Sequence, residues 1–207
     1  MRPRQTVYLI LDCIFISKGS VTKKIILITT NRGKVAEIQE HLKKFQIEVV
    51  GKDVEIPEIR SDNQEKVAEE KVKFAVKVVG EAVIAEDTGI YFEAYKNFPG
   101  TNSKWLINKV GYEGVFKLLE GKSRKAYFKT TIAYCEPEGK VLTFVGICKG
   151  EIINEIKGKP HPRLPYDSIF VPEGKDRTFA EMTIEERNQL KHRAKAAEAF
   201  AKWFIKV

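Results

Sequence analysis

The sequence predicts an α/β fold with a mixed central sheet and helices on both sides of that sheet. Short apolar runs typical of buried strands alternate along the chain with longer stretches in which apolar residues recur at helical spacing. Strands that alternate with helices indicate parallel pairing. Two consecutive strand-like segments in the second half, separated by a short turn, indicate a hairpin and therefore antiparallel pairing as well.

The predicted elements begin at residue 24. In chain order they are the strand "KIILIT", the helix "GKVAEIQEHLKKF", the strand "IEVVG", the helix "NQEKVAEEKVKFAVKVV", the strand "AVIAEDTG", its continuation "IYFEAY" beyond a turn, two short helical stretches near residues 102 to 119, and the hairpin strands "KAYFKTTIAYC" and "KVLTFVGICKGEI". Thr183 and Glu186 have the spacing of a capping box, which predicts one final helix. These elements predict a single domain over residues 24 to 207.

Residues 1 to 23 differ in character from the rest of the chain. The segment "VYLILDCIFI" is apolar, but it contains Asp12 and is well short of the roughly 20 residues that a membrane-spanning helix needs. No convincing cleavage site follows it, which disfavours a signal peptide. We interpret residues 1 to 23 as an extension that is poorly ordered, with an extra edge strand as the alternative, and we expect no membrane partner.

Composition excludes several classes of protein. Cys13, Cys135 and Cys148 form no CxxC pair and are odd in number, which argues against a disulfide framework and is typical of a reducing, cytoplasmic location. The formal charge is +8, and half of it lies in the first 24 residues. Because the chain lacks the interleaved aromatic and basic residues of RNA-binding modules, we expect no nucleic-acid partner.

Two short motifs indicate chemistry. In "TTNRGK" a strand passes through Asn31 and a glycine to Lys34 at a helix start, where free backbone N–H groups and the helix dipole favour a phosphate. In "AEDTG" Glu86 and Asp87 end an apolar strand, which suits a metal and water site. Taken alone, "TTNRGK" favours a plain strand-to-helix turn, and Lys104 after its Pro-Gly turn favours a solvated lysine. "AEDTG" alone is equally compatible with a turn.

Five motifs occur in one order over most of the chain: "TTNRGK", "PEI", "AEDTG", "FPGTNSKW" and "TFAEMTIEERNQLKHRAKA". In this the chain resembles the Ham1 family, the inosine/xanthosine triphosphate pyrophosphatases that remove non-canonical purine nucleotides. The resemblance implies two lobes around a nucleotide-binding cleft, a homodimer, and Mg²⁺-dependent hydrolysis of ITP, dITP and XTP to the monophosphate and pyrophosphate.

The resemblance also implies a role for individual residues. The triphosphate is expected to be held by Thr29, Asn31, Lys34, Lys71 and Lys104. Glu58 is the expected Mg²⁺ ligand, joined by Glu86 and Asp87, with Asp87 as the general base. The purine base of the nucleotide is expected to contact Tyr166, Asp167, Arg187, His192 and Arg193. His192 and Arg193 are expected to donate to the 6-oxo group.

The chain departs from the family pattern around the expected base site. "LPYDS" stands in place of an FGYDP-like stretch, which changes Leu164, Pro165 and Ser168, and Lys191 replaces a serine before His192. We expect weaker base recognition and a His192 that resists protonation. Two alternatives remain open: a nucleotide-binding homologue with weakened catalysis, and a pyrophosphatase for other modified nucleotides.

Overall fold

The computed structural model describes residues 7–8, 22–57, 59–96 and 98–207. The strands are β1 (Val7–Tyr8), β2 (Lys23–Ile28), β3 (Ile47–Lys52), β4 (Val83–Phe92), β5 (Pro99–Gly100), β6 (Lys125–Cys135), β7 (Leu142–Ile152) and β8 (Phe170–Pro172). The α-helices are α1 (Arg32–Lys43), α2 (Gln64–Val79), α3 (Ser103–Leu118), α4 (Ile184–Leu190) and α5 (His192–Phe204). Two short 3₁₀ helices, Pro165–Ser168 and Phe179–Glu181, precede α4.

The strands form one mixed sheet, which confirms the predicted fold class. Their order is β1-β3-β2-β4-β6-β7-β8, and β5 pairs separately with β4. Strand β2 is parallel to both β3 and β4, as expected where helices connect the strands. The pairs β4–β6, β6–β7 and β7–β8 are antiparallel, so the predicted hairpin is confirmed.

Helices cover both faces of the sheet. Ile84 of β4 packs in a cluster with apolar residues of α1 and α5, whereas its neighbour Ala85 packs against α2. The alternation follows from the two-residue period of a strand. A third cluster, around α3 and the two 3₁₀ helices, forms the second lobe over the other ends of β4 and β6.

Strand β4 runs without interruption past its two acids, so the predicted turn before "IYFEAY" is wrong. Pairing with β2 ends at Ala85 and pairing with β5 begins at Ile90. The intervening residues keep their extended conformation because β6 pairs with β4 along its whole length. Along its other edge, β4 has no strand partner among the described residues from Glu86 to Gly89. The sheet therefore has an opening at this point, and side chains from both of its faces line the same cavity.

The prediction of one final helix after Thr183 is also wrong, because the helix is interrupted at Lys191, which separates α4 from α5. The capping box of Thr183 and Glu186 is present, but Lys191 is extended, with φ −62° and ψ 139°. Helix α5 then packs directly on β7 at Gly146, where a Cβ atom would lie 2.0 Å from the His192 carbonyl oxygen. Close packing there, together with the ion pairs of Lys191 described below, compensates for the interrupted helix.

The segment before β2 contains one described element. Val7–Tyr8 pairs antiparallel with β3 as an edge strand, the alternative considered for this segment. The prediction of poor order concerns residues that otherwise lie outside the described part of the chain, and β2 begins at Lys23, one residue before the predicted boundary. Among the described residues, no helix combines the length and apolar character needed to cross a membrane.

Candidate active site

A cavity of about 800 Å³ lies at the opening in the sheet, between the two lobes. Most of the residues predicted to form a site line it, namely Thr29, Asn31, Lys34, Lys71, Glu86, Lys104, Tyr166, Asp167, His192 and Arg193. Arg187 and Asp87 stand behind this lining, each in an ion pair with a lining residue. Glu58 lies outside the described residues.

The N-termini of three helices meet at the cavity. Asn31 and Lys34 of α1, Ser103 and Lys104 of α3, and His192 of α5 all line it. None of the three helices has an acidic residue in its first turn. Unpaired N–H groups and the positive ends of the helix dipoles therefore favour an anion in this space.

The "TTNRGK" motif forms the start of α1. The Asn31 side-chain oxygen accepts a hydrogen bond from the Gly33 N–H at 3.0 Å, and Thr29 Oγ1 accepts from the Asn31 N–H at 3.1 Å. Asn31 is thus the N-cap of α1, the helix-turn role considered for it. Since both residues also line the cavity, the turn and the anion-binding surface are the same piece of backbone.

Glu86 is a buried carboxylate held by two cations. Its side chain is 1% exposed, its Oε2 atom lies 2.5 Å from Lys34 Nζ, and its Oε1 atom accepts from Arg193 Nε and Nη2, both at 3.1 Å. Burial alone would raise the pKa of Glu86, but the charges of Arg193 and Lys34 hold that pKa well below its ordinary value. Glu86 is therefore a fixed negative charge that orients Lys34 and Arg193.

Asp87 lies on the opposite face of β4, towards α2. Its Oδ1 atom lies 3.2 Å from Lys71 Nζ, and its buried Oδ2 atom has no hydrogen-bond partner within the described ranges. Burial raises the pKa of Asp87, and the charges of Lys71 and Lys34 only partly oppose it. The two adjacent acids thus have pKa values shifted in opposite directions, an arrangement typical of a base beside a permanent charge.

Asp87 and Glu86 also differ as candidate metal ligands. Asp87 Oδ2 is a free, hard oxygen of the kind that Mg²⁺ prefers, whereas both oxygens of Glu86 already contact cations. Among the described residues, which do not include Glu58, no group of three or more His, Cys, Asp or Glu side chains is arranged to hold a metal ion. Asp87 is accordingly the described residue that fits a Mg²⁺ ligand best.

At the other end of the cavity, Lys191 lies between two acids. Its Nζ atom is 3.2 Å from Asp167 Oδ2 and 3.7 Å from Glu37 Oε1, and its side chain is 5% exposed. Arg187 Nη1 approaches the same Asp167 oxygen at 3.9 Å. Burial raises the pKa of Asp167, which Lys191 partly counteracts. Lys191, which departs from the family pattern, thus neutralises Asp167, the acid expected to contact the purine base.

Glu37, which was not among the predicted site residues, joins the two ends of the cavity. Its Oε2 atom lies 2.6 Å from Arg193 Nη1 and its Oε1 atom faces Lys191. In the sequence it is one of two glutamates on an amphipathic helix, so no local signal distinguishes it. Thr88 and Thr130 were missed for the same reason, because only tertiary contacts show their partners.

Tyr166 and His192 are buried by aromatic packing. The Tyr166 hydroxyl donates to the Ser103 carbonyl oxygen at 2.9 Å, and its ring packs edge-on against Phe92 and Phe128. The His192 ring stacks on Phe128 with centroids 4.8 Å apart. Burial lowers the pKa of His192 well below 6.5, and Arg193 and Lys191 lower it further, as expected from the sequence. His192 is therefore neutral at physiological pH.

A buried neutral histidine predicts that stability falls in acid. The unfolded chain takes up a proton at His192 near pH 6.5, whereas the folded chain does so only at much lower pH, so unfolding is favoured as the pH falls below 6.5. The expected loss is about 1.4 kcal/mol per pH unit for this group. Urea unfolding between pH 7.5 and 5.5 should show a smaller loss for His192→Gln than for the wild type.

The exposed His161 provides the matched control for this measurement. His161→Gln should retain the wild-type dependence of unfolding free energy on pH. Equal slopes for His192→Gln and the wild type would contradict the assignment of a neutral, buried His192.

The chain is similar to known proteins along most of its length. Residues 25–203 match the Ham1 family. The chain is 41% identical over 182 residues to the dITP/XTP pyrophosphatase of Methanopyrus kandleri, which covers 87% of this chain and 96% of that protein. It is 43% identical over 181 residues to the dITP/XTP pyrophosphatase of Pyrococcus horikoshii, with the same coverage. The structure of the Staphylococcus aureus Ham1 protein superposes with a TM-score of 0.76 at 25% identity, over 89% of this chain and 99% of that one.

Proposed function

The chain belongs to the Ham1 family, and from this premise we propose that it hydrolyses the non-canonical purine nucleotides ITP, dITP and XTP to the monophosphate and pyrophosphate. The observation that carries the proposal is the meeting of three helix N-termini with Lys34, Lys71 and Lys104 at one cavity. A triphosphate carries about four negative charges, and its cleavage depends chiefly on positioning and charge neutralisation.

In the proposed reaction, Asp87 is the general base. A water molecule beside Asp87 attacks the α-phosphorus while Asp87 accepts its proton, and the bond from the α-phosphorus to the oxygen that bridges to the β-phosphate breaks. The raised pKa of Asp87 suits a base that must both hold and release a proton. Lys71, which contacts Asp87 Oδ1, keeps the carboxylate oriented. Glu86 keeps Lys34 in place at the triphosphate and Arg193 in place at the purine.

We propose Mg²⁺ as the cofactor, with Asp87 and Glu58 as its protein ligands. When bound, it would neutralise negative charge that develops on the departing pyrophosphate. Because Lys34 and Arg193 already contact the oxygens of Glu86, that residue is the weaker candidate of the predicted set.

The purine is proposed to lie at the opposite end of the cavity from Lys71, against Leu164, Tyr166 and Asp167. Leu164 covers the face of a base but cannot stack as an aromatic ring would. Arg193 has one Nη1 hydrogen without a partner among the described residues, and this hydrogen can donate to a 6-oxo group. Adenine has a 6-amino donor at that place and would be rejected.

Assembly and location are part of the proposal. We propose a homodimer, in line with the family resemblance. We also propose a cytoplasmic location, which agrees with Cys135 and Cys148 being buried free thiols. Light scattering coupled to gel filtration tests the dimer. A mass of one chain at micromolar concentration would refute it.

The test of the proposed function is a panel of dITP, ITP, XTP, dATP and dGTP with Mg²⁺, followed by chromatography of the products. The first three should give the monophosphate and pyrophosphate faster than the last two. Diphosphate plus orthophosphate would refute the position of cleavage. Tight binding of dITP without turnover would instead favour the weakened homologue, and turnover of none of the five would favour a pyrophosphatase for other modified nucleotides.

A further inference from the structure

A line of hydroxyl groups joins Glu86 to His192 across β4 and β6. The Thr88 hydroxyl donates to Glu86 Oε1. Thr88 Oγ1 and Thr130 Oγ1 are 2.6 Å apart, and Thr130 Oγ1 and His192 Nδ1 are also 2.6 Å apart. Thr130 is fully buried and His192 is 4% exposed. Each pair is within hydrogen-bond distance, so one proton must lie between the two atoms of each pair.

The order of these protons follows from counting donors. The Glu86 carboxylate contacts Arg193 and Lys34 and can only accept, so the single hydroxyl proton of Thr88 points to it. Thr88 must therefore accept from Thr130. Thr130 then has no proton left for His192 and must accept from the Nδ1–H of the imidazole. A carboxylate remains an acceptor whichever cation it contacts, so this order does not depend on what else the site binds.

The same order determines the other ring nitrogen. A neutral imidazole carries one N–H, and when Nδ1 holds it, Nε2 presents a lone pair. Stacking on Phe128 fixes the plane of the ring, and Nε2 has no hydrogen-bond partner among the described residues. His192 also lines the cavity. Its free nitrogen is therefore an acceptor at the end of the site where the purine is proposed to lie.

We propose that Thr88 and Thr130 are positioning residues that hold His192 as the Nδ1–H tautomer, so that Nε2 accepts a hydrogen bond from the N1–H of a 6-oxopurine. The ligand part of this inference rests on the proposed function. It replaces the donor role expected for His192 by an acceptor role and leaves Arg193 as the donor to the 6-oxo group. Adenine carries a lone pair at N1, so it would face the lone pair of Nε2.

The tautomer is tested in the full-length wild-type protein by ¹⁵N NMR of the histidine side chains at pH 7.5, assigned with His192→Gln. The expected result is a proton coupled to Nδ1 of His192 and an unprotonated Nε2. A proton on Nε2 would overturn the inference. This measurement needs no substrate and no variant of the threonines.

The role in recognition is tested by Thr130→Val, which removes the hydroxyl with little change of shape. The ratio of kcat/KM for dITP to that for dATP should fall about tenfold, because the tautomer is no longer held. Thr130→Ser should restore most of the ratio. Thr143→Val, the same chemical change at an exposed position of β7, should leave the ratio at its wild-type value.

The two proposals fail in different ways. An unchanged ratio in Thr130→Val would overturn the role of the hydroxyl line in recognition, as would a ratio that Thr130→Ser does not restore. Hydrolysis of neither nucleotide by the wild type would refute the proposed function, whereas the NMR result would still support or overturn the tautomer.

Discussion

Replacing Asp87 by asparagine is expected to lower kcat for dITP by about 10² or more while KM changes severalfold at most. The amide has nearly the same shape as the carboxylate but cannot accept the proton of the attacking water. Lys34, Lys104 and the helix N-termini, which are proposed to bind the triphosphate, are unchanged. Steady-state kinetics with dITP at saturating Mg²⁺ measures both constants.

Glu70→Gln is the matched control for Asp87→Asn, because Glu70 is on α2 and pairs with Lys73 at the surface. It should behave as the wild type. Urea unfolding of Asp87→Asn should show a folded protein, so that the loss is assigned to chemistry. Near-normal turnover of folded Asp87→Asn would show that Asp87 is a structural residue of β4 and that another group is the base.

Replacing Arg193 by methionine is expected to destabilise the protein by about 3–5 kcal/mol, the usual result of removing one partner from a buried ion pair. Arg193 contacts Glu86 and Glu37 and is almost wholly buried, with a side chain 5% exposed. Methionine fills a similar volume but leaves the buried Glu86 and the partly buried Glu37 each without one of its two cations. Urea unfolding at pH 7.5 measures the loss, and dITP turnover should fall as well.

Two further variants separate charge from packing. Arg177 forms an ion pair with Glu186 at 2.7 Å but is 48% exposed, so Arg177→Met should destabilise the protein much less than Arg193→Met does. Adding Glu86→Gln to Arg193→Met removes the negative charge that has lost Arg193 as a partner. The double variant should therefore recover part of the lost stability. A cost for Arg193→Met as small as that for Arg177→Met would contradict the buried-pair description.

The expected effect of Arg193→Met follows from the way charges alternate across the cavity. Six side chains of alternating charge contact one another in series, namely Lys34, Glu86, Arg193, Glu37, Lys191 and Asp167. The series extends from the proposed triphosphate site to the proposed base site. Lys191, which departs from the family pattern, is accommodated because Glu37 and Asp167 are both within reach. Its effect on the base is therefore expected to act through Asp167 as well as through His192.

The fold could be predicted from the sequence wherever a signal is local. Hydrophobic periodicity located the strands and helices, and the spacing of Thr183 and Glu186 located a capping box that the structure contains. Periodicity failed at Lys191, because apolar residues continue at helical spacing on both sides of the break. It failed at Glu86 and Asp87, because two polar residues resemble a turn while a neighbouring strand keeps them extended.

The sequence by itself determined the α/β class, the family and ten of the residues that line the cavity, since these depend on local patterns and on motifs in a single order. Only the tertiary structure decided which of those residues contact one another. Side chains of adjacent residues point to opposite faces of a strand, so Glu86 meets Lys34 and Arg193 while Asp87 meets Lys71. The pKa of a carboxylate depends on burial and on neighbouring charges, and those neighbours come from helices distant in sequence. For the same reason, the partners of Glu37 and the proton order from Glu86 to His192 could be found only in the folded chain.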